Sequence, residues 1–471
     1  MLEFHKKKQQ NPKKTEAQQR IKNFQEIYSQ FSPEESINQS SRCSQCGVPY
    51  CQIHCPLNNN IPDWLRYIAE DRLQEAYNIS ALTNAFPEVC GRVCPQDRLC
   101  EGNCVVEQAG FGAITIGNLE KYLTEVAWEK GWVNKLSSKF SKNQKVAIIG
   151  SGPAGMAAAT YLIQLGYEVE VFEKSDRAGG LMIYGIPNFK LDKSVVERRT
   201  EWLSESGVKF HLKKEVGKHI SFQELEKDYD AILVATGVYK ARRLDIETKN
   251  IENSLPALDF LIESNRVGLG DVPSKNKFLD AKDKHVVVIG GGDTAMDCVR
   301  TAIRQKAKEV TCLYRRNKEN MPGSAREVLN AEQEGVKFNW LSVPSKIISQ
   351  DKSASSLAYK VAALGEADET GRRKPIDTGV EKQIKSDLII QALGFEPEDL
   401  NQHFGTDLEV TSWNTIKVDF KKFQTSNPKV FAAGDIVRGA SLVVWAIHDG
   451  REVAKSIHQF LENKLVKKKA S

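Results

Sequence analysis

Two apolar, strand-like runs in this chain each break into a glycine turn and continue as a helix-like run. No other feature restricts the fold as strongly. Lys145–Ile149 leads into Gly150-x-Gly152-Pro153-Ala154-Gly155, and His285–Ile289 leads into Gly290-x-Gly292-Asp293-Thr294-Ala295. Glycines at these places permit a tight turn and close approach of the backbone to a pyrophosphate, which the N-terminus of the following helix then faces. A chain of 471 residues carrying two such units is expected to be an α/β protein with two Rossmann-like dinucleotide-binding domains.

The two units differ one strand later. Glu168–Phe172 ends at Glu173, an acid placed to bind ribose hydroxyls, whereas Glu309–Tyr314 ends in Arg315 and Arg316. Guanidinium groups at that place suit a 2′-phosphate in charge and in bidentate geometry, so the second unit reads as the NADPH site. The acid-ended unit cannot be the NADP site and reads as the FAD site, with hydride passing between the two. Ile232–Gly237 and Ile389–Gly394 read as crossings between domains, and Val430–Asp435 as a return to the flavin. Gly180, Leu181, Thr236, Gly237, Gly434 and Asp435 join the flavin candidates, Asp435 as a ribityl or phosphate contact. The expectation is therefore a flavin domain interrupted by a nicotinamide domain. No acid–base pair is singled out as catalytic; positioning and electron-transfer distance are expected to carry the reaction.

Ten cysteines are present, eight of them between residues 43 and 104. They form Cys43-x2-Cys46-x4-Cys51-x3-Cys55-Pro56 and Cys90-x3-Cys94-Pro95-x4-Cys100-x3-Cys104. Disulfides are disfavoured in a chain without a secretory signal. Structural zinc usually uses paired CxxC knuckles, and here only one occurs. Closely spaced thiolates with a proline after the last one fit iron–sulfur ligation better. Ile61–Ile68, Leu73–Ala81 and Asn118–Trp128 place apolar residues at helical spacing around these runs, so a small helical domain wrapped on clusters is expected. With no cysteine between Cys104 and Cys298, no dithiol stands beside the flavin, and the clusters are the visible route for electrons. Cys298 and Cys312, isolated in apolar stretches, read as core.

The net charge of +5 sits in the tails: residues 1–20 and 464–471 each carry +4, leaving the body at −3. Both tails read as frayed and solvated, not as a nucleic-acid face. No apolar run reaches the roughly 18 residues of a membrane span, and Met1–Arg20 lacks the apolar segment of a secretory signal. A soluble, cytoplasmic protein is expected. Domain limits are placed at 1–140 for the helical domain with its basic tail, 141–255 and 398–471 for the two parts of the flavin domain, and 256–397 for the nicotinamide domain.

Beyond these readings, the chain resembles the small (beta) subunits of NADPH-dependent bacterial glutamate synthase. The resemblance rests on both cysteine runs, Gly150–Gly155, Ala178–Pro187, Gly290–Asp297, Tyr314–Arg316, Met321-Pro-Gly-Ser324 and Gly434–Ile447. The same segments are similar to the N-terminal half of dihydropyrimidine dehydrogenase. The resemblance implies FAD, NADPH and two 4Fe–4S clusters. It implies Cys43, Cys46 and Cys51 with Glu120 on one cluster, and Cys55, Cys94, Cys100 and Cys104 on the other; by the spacing of the thiols alone, an arrangement including Cys90 is equally natural. It also implies a large (alpha) subunit that makes glutamate from glutamine and 2-oxoglutarate. Two alternatives are an electron-input chain serving a ferredoxin-linked or pyrimidine-reducing acceptor, and a zinc-stabilised regulatory flavoprotein.

Overall fold

The computed structural model describes residues 1–138, 140–246, 251–369 and 373–470, with the side chains of 465–470 excepted. The first 130 residues are helical. In the helix Ile61–Ala69, Pro62 sits in the first turn, and Ile61, Trp64, Leu65 and Ile68 are spaced to share one buried face. Helices Leu73–Ala81, Pro87–Val93 and Ile116–Glu129 complete the bundle. Pro87–Val93 and Ile116–Glu129 touch closely because Gly91 has no side chain. A Cβ there would lie 2.7 Å from the Gly117 carbonyl oxygen.

The flavin-type unit follows. Strands β1 (Lys145–Ile149), β2 (Glu168–Phe172), β3 (Lys209–His211) and β4 (Ala231–Val234) form a parallel sheet. The chain then passes through the short β5 (Lys240–Ala241) into a second parallel sheet. That sheet comprises β6 (Ser254–Pro256), β7 (His285–Ile289), β8 (Glu309–Leu313) and β9 (Lys337–Asn339), and later β13 (Leu388–Gln391). An antiparallel meander of β10 (Ser342–Gln350), β11 (Ser353–Ala367) and β12 (Arg373–Lys385) is inserted before β13. The chain returns through β14 (Phe395–Glu396), which pairs antiparallel with β5, and ends its sheet work in β15 (Val430–Ala432) beside β4. The orders β15-β4-β1-β2-β3 and β6-β13-β7-β8-β9 match. Each glycine turn follows a central strand, where the strand order reverses and ligands bind in such sheets.

The N-terminal segment is not the frayed tail that its basic composition implied. The backbone amides of Leu2 and Glu3 donate to the carbonyls of Cys43 and Ser41, each at 3.0 Å. Further on, Lys14 Nζ donates to Gln333 Oε1 at 2.7 Å, and buried Arg20 donates to Glu334 at 2.8 Å. Arg20, one of the six basic residues that looked solvated, is taken up by a carboxylate of the nicotinamide domain, while Lys6, Lys8 and Lys13 stay exposed. At the other end, residues to Ala470 continue the helix that begins at Val443. The charged side chains of that tail beyond Lys464 lie outside the described ones.

Candidate functional site

One cavity of about 580 Å³ opens above the C-terminal ends of β1 and β4. Of the flavin candidates, Gly150, Gly152, Pro153, Ala154, Glu173, Gly180, Leu181, Thr236, Gly237, Gly434 and Asp435 all line it. Gly155 lies beneath the turn instead, where a Cβ would meet the Gly150 carbonyl oxygen at 2.1 Å. Gly150 has φ +104, and a Cβ on it would sit 2.5 Å from the Ala235 carbonyl oxygen, so this turn is closed to any side chain. Glu173 Oε2 accepts from the Ser151 amide at 3.1 Å and its hydroxyl at 2.6 Å, which fixes the carboxylate at the rim of the turn.

Two observations fit this cavity to a flavin dinucleotide. The Thr236 hydroxyl is buried without a protein partner, an orphan that a ligand would satisfy. The glycine cradle leaves room for a backbone-held pyrophosphate. The sequence reading missed Tyr239, over whose ring Lys174 Nζ sits at 4.6 Å, and the apolar wall of Leu442, Val443 and Ala446. Tyr239 lies two residues after Gly237 and could have been read with it; the wall lies within the Gly434–Ile447 segment that carries the family resemblance.

At the second turn Gly290 has φ +144, and a Cβ would come 2.2 Å from the Ala392 carbonyl oxygen. Gly291 packs on the ring of Tyr314, and Gly292, the residue before the helix Asp293–Arg304, has open space where a Cβ would point. Thr294 and buried Ala295 follow in that helix's first turn. Asp293 Oδ1 accepts from the Ser324 amide at 2.9 Å, and the Gly323 amide donates to the Gly291 carbonyl at 2.9 Å. The Met321–Ser324 loop thus closes over the turn. Arg315 is exposed at the end of β8. Arg316 Nε donates to the Tyr314 hydroxyl at 3.1 Å, which in turn donates to the Asn320 carbonyl.

The cysteines fall into two groups, and the grouping differs from the implied ligand sets. Glu120 lines a small cavity with Cys55, Cys90, Cys94 and Cys100, and Cys104 does not. Cys104 faces the first run. Burial, and then the charges of Cys104 and Cys46, push the Cys43 thiol up. Burial, with Cys43 and Cys104 next in size, pushes Cys51 up to about 12. Cys55 is pushed up to about 11 by burial, and the charge of Glu120 adds to this. The physical reason is the helix Ile116–Glu129. Its close packing on Pro87–Val93 brings Glu120 over the second run, while Cys104, beyond the Pro95–Cys100 turn, is carried across to the first. Glu120 accepts from Asn84 Nδ2 at 3.0 Å, and burial raises its carboxyl to about 8. The Cys90 thiol donates to Asn84 Oδ1 at 3.7 Å.

Among the described residues no three such side chains converge tightly enough to hold a single metal ion. Buried thiols that resist ionisation are suited to a cationic centre that compensates their charge, as iron in a cluster does. Val443 lines the flavin cavity and the next residue, Val444, lines the Cys55–Glu120 cavity. The first turn of the helix Val443–Ala470 borders both.

Comparison with known proteins follows this geometry. Residues 20–132 match the family model of dihydropyrimidine dehydrogenase domain II, 4Fe–4S cluster, and residues 144–450 match pyridine nucleotide-disulphide oxidoreductase. The glutamate synthase (NADPH) small chain of Azospirillum brasilense is 53% identical, covering 98% of this chain and 97% of that one. The chain belongs to this small-chain family. Its Escherichia coli relative of the same name is 45% identical over 93% of this chain and 94% of its own. FprA from Mycobacterium tuberculosis, solved with NADPH, shares the fold at TM-score 0.58 and 20% identity, over 69% of this chain and 86% of that one. The chain is accordingly an NADPH-dependent flavin oxidoreductase with a 4Fe–4S domain. That domain match also decides against the zinc-stabilised reading. No helix among the described residues is long and apolar enough to cross a membrane.

Proposed function

We propose that this chain is the cytoplasmic electron-input subunit of glutamate synthase, oxidising NADPH on behalf of a large subunit that makes glutamate from glutamine and 2-oxoglutarate. The observation that carries the reading is the contiguity of its sites: consecutive residues, Val443 and Val444, wall the flavin cavity and the nearer cysteine cavity. When bound, FAD and the two 4Fe–4S clusters supply the redox chemistry, taking electrons in pairs from NADPH and passing them on singly.

The chain's own residues hold and orient. The Gly150–Gly155 turn would take the flavin pyrophosphate, Glu173 the ribose hydroxyls, and Thr236, Gly434 and Asp435 the flavin's remaining polar groups. Gly290–Ala295 would take the NADPH pyrophosphate, with Arg315 and Arg316 on the 2′-phosphate. Cys55, Cys94, Cys100 and Glu120 would ligate the cluster next to the flavin, and Cys43, Cys46, Cys51 and Cys104 the outer one. Val48, Tyr50 and Ile53, exposed on either side of Cys51, would meet the large subunit. The match over nearly the whole Azospirillum brasilense chain favours this acceptor over another. A putative oxidoreductase of Escherichia coli, AegA, is 41% identical to this chain, but the match covers only 70% of its length.

The complex, pulled down anaerobically from its own cells, should oxidise NADPH only when glutamine and 2-oxoglutarate are both present; oxidation with dyes alone would reject the reading. The cluster assignment has its own check. Cys104→Ser should lose about half the iron and keep NADPH-to-dye activity, and its lost spectral signal should be that of Cys46→Ser. Loss of the signal that Cys94→Ser loses would restore the other grouping.

A further inference from the structure

The turn between Cys94 and Cys100 reaches beyond the helical domain to the second glycine turn. Buried Gln96 ties it down: its side-chain amide donates to the carbonyls of Cys90 and Gly91 at 3.3 and 3.1 Å, and its own carbonyl accepts from the amides of Glu101 and Gly102 at 2.9 and 3.0 Å. Gly102 closes the turn, since a Cβ there would lie 1.9 Å from the Asp97 carbonyl oxygen. Held this way, Asp97 and Arg98 point at the nicotinamide domain. Asp97 Oδ2 accepts from the Ala325 amide at 3.2 Å, and its Oδ1 accepts from the Ser324 hydroxyl at 3.4 Å. The helix Ala325–Gln333 has no side-chain cap of its own, so a carboxylate from another domain caps it. Arg98 Nη2 stands 3.5 Å from Asp293 Oδ2, with the Arg98 side chain 45% exposed. A pair this long and this open is weak, and the guanidinium keeps donors to spare. It also offsets an acid that would otherwise repel phosphates at the start of the Asp293–Arg304 helix.

We propose that this turn is one wall of the NADP(H) site, with Arg98 a ligand of the dinucleotide's pyrophosphate and Asp97 a positioning residue for the Met321–Ser324 loop. The inference rests on the reading that NADPH binds at Gly290–Ala295. Because the pyrophosphate is common to both coenzymes, Arg98 contributes to NADP(H) and NAD(H) alike, unlike Arg315 and Arg316. Asp97 acts through Ser324 and Gly323 on the turn at Gly291.

Equilibrium titration of the purified holoprotein with NADP+ and with NAD+ tests this. Arg98→Ala should raise both dissociation constants by roughly tenfold, the loss of one charge-assisted contact, and Arg98→Lys should recover most of it. Asp97→Ala should weaken both coenzymes several-fold, with Asp97→Asn recovering part. The KM for NADPH should rise in parallel while kcat with a dye acceptor and the iron and flavin contents hold. If Arg98→Ala sheds iron, Arg98→Gln, which keeps the stem, carries the same expectation. Dissociation constants within twofold of the parent at full iron content would overturn the proposal. Its failure is distinguishable from failure of the underlying reading. If Arg315→Glu with Arg316→Ala leaves NADP+ affinity unchanged, the NADPH site itself is misplaced; if that pair weakens NADP+ and Arg98→Ala does not, only the present inference falls.

Discussion

Glu334→Gln should destabilise the junction between the N-terminal segment and the nicotinamide domain by about 3–5 kcal/mol, the cost of stripping the partner from buried charge. The Glu334 side chain is fully buried and serves three guanidinium groups. Oε1 accepts from Arg20 Nε at 2.8 Å and Arg300 Nη2 at 2.9 Å; Oε2 accepts from Arg300 Nε at 3.0 Å and Arg304 Nη1 at 2.6 Å. Glutamine keeps the shape but removes the charge and turns one acceptor into a donor facing donors. Glu327, bonded to Arg300, would then be left to face that guanidinium without Glu334 beside it. Phe189, from the loop before the helix Lys193–Glu205, lies under Arg300 and Arg304 at 4.5 and 3.9 Å, so three parts of the chain loosen together.

Hydrogen exchange of the Ala325–Gln333 helix and residues 14–28 would report the loss, and unchanged protection would refute it. The same carboxylate sets an acid limit. Burial alone would raise Glu334, but the hydrogen bonds and charges of Arg304 and Arg300 overcome it and hold the group at about 2, against 4.5 for the ordinary carboxyl. Its contribution is therefore complete above pH 4.5 and lost as pH falls from there towards 2. Glu327, likewise held at about 2 by Arg300 and Lys190 against burial, adds to the same limb. The acid unfolding of Glu334→Gln should be correspondingly shallower.

What the sequence made legible and what it hid differ in range. Strands β1 and β7 were readable because a buried parallel strand is an unbroken apolar run, and Val286, Val287, Val288 and Ile289 are all buried; β2 and β8, interrupted by Glu170 and Thr311, were readable from their place one helix after each glycine turn. The helix Ile61–Ala69 was readable from its apolar spacing. The meander was not: β12 is exposed along nearly its whole length, so Arg373–Lys385 shows no alternation to betray a strand. The role of Arg20 was hidden for another reason. A basic tail and a buried guanidinium have the same composition, and only the position of Glu334, 314 residues away in the chain, tells them apart. The exchange of Glu120 and Cys104 between cysteine groups is of this kind too, since spacing names candidate ligands but not which of them the helix packing brings together.

Coenzyme selectivity should follow the two arginines after β8. Arg315→Glu with Arg316→Ala should weaken NADPH by about a hundredfold or more, the loss of two charge-assisted contacts and the gain of a repulsion, while NADH changes by only a few-fold. The asymmetry would arise because the phosphates shared by both coenzymes would be met elsewhere, at Gly290–Gly292 and the start of the following helix. Arg316 is already oriented, since its Nε is held on the Tyr314 hydroxyl, and the same ring floors the turn at Gly291. Removing its guanidinium therefore leaves the turn supported. Arg315 is exposed, so a carboxylate is tolerated there without refolding, and it places negative charge where the 2′-phosphate would lie. Direct binding of NADPH and NADH to the oxidised protein, with flavin and iron contents checked, separates this from general damage. Equal loss for the two coenzymes would remove the 2′-phosphate from these residues and, with it, the physical basis for reading the second site as NADPH-selective.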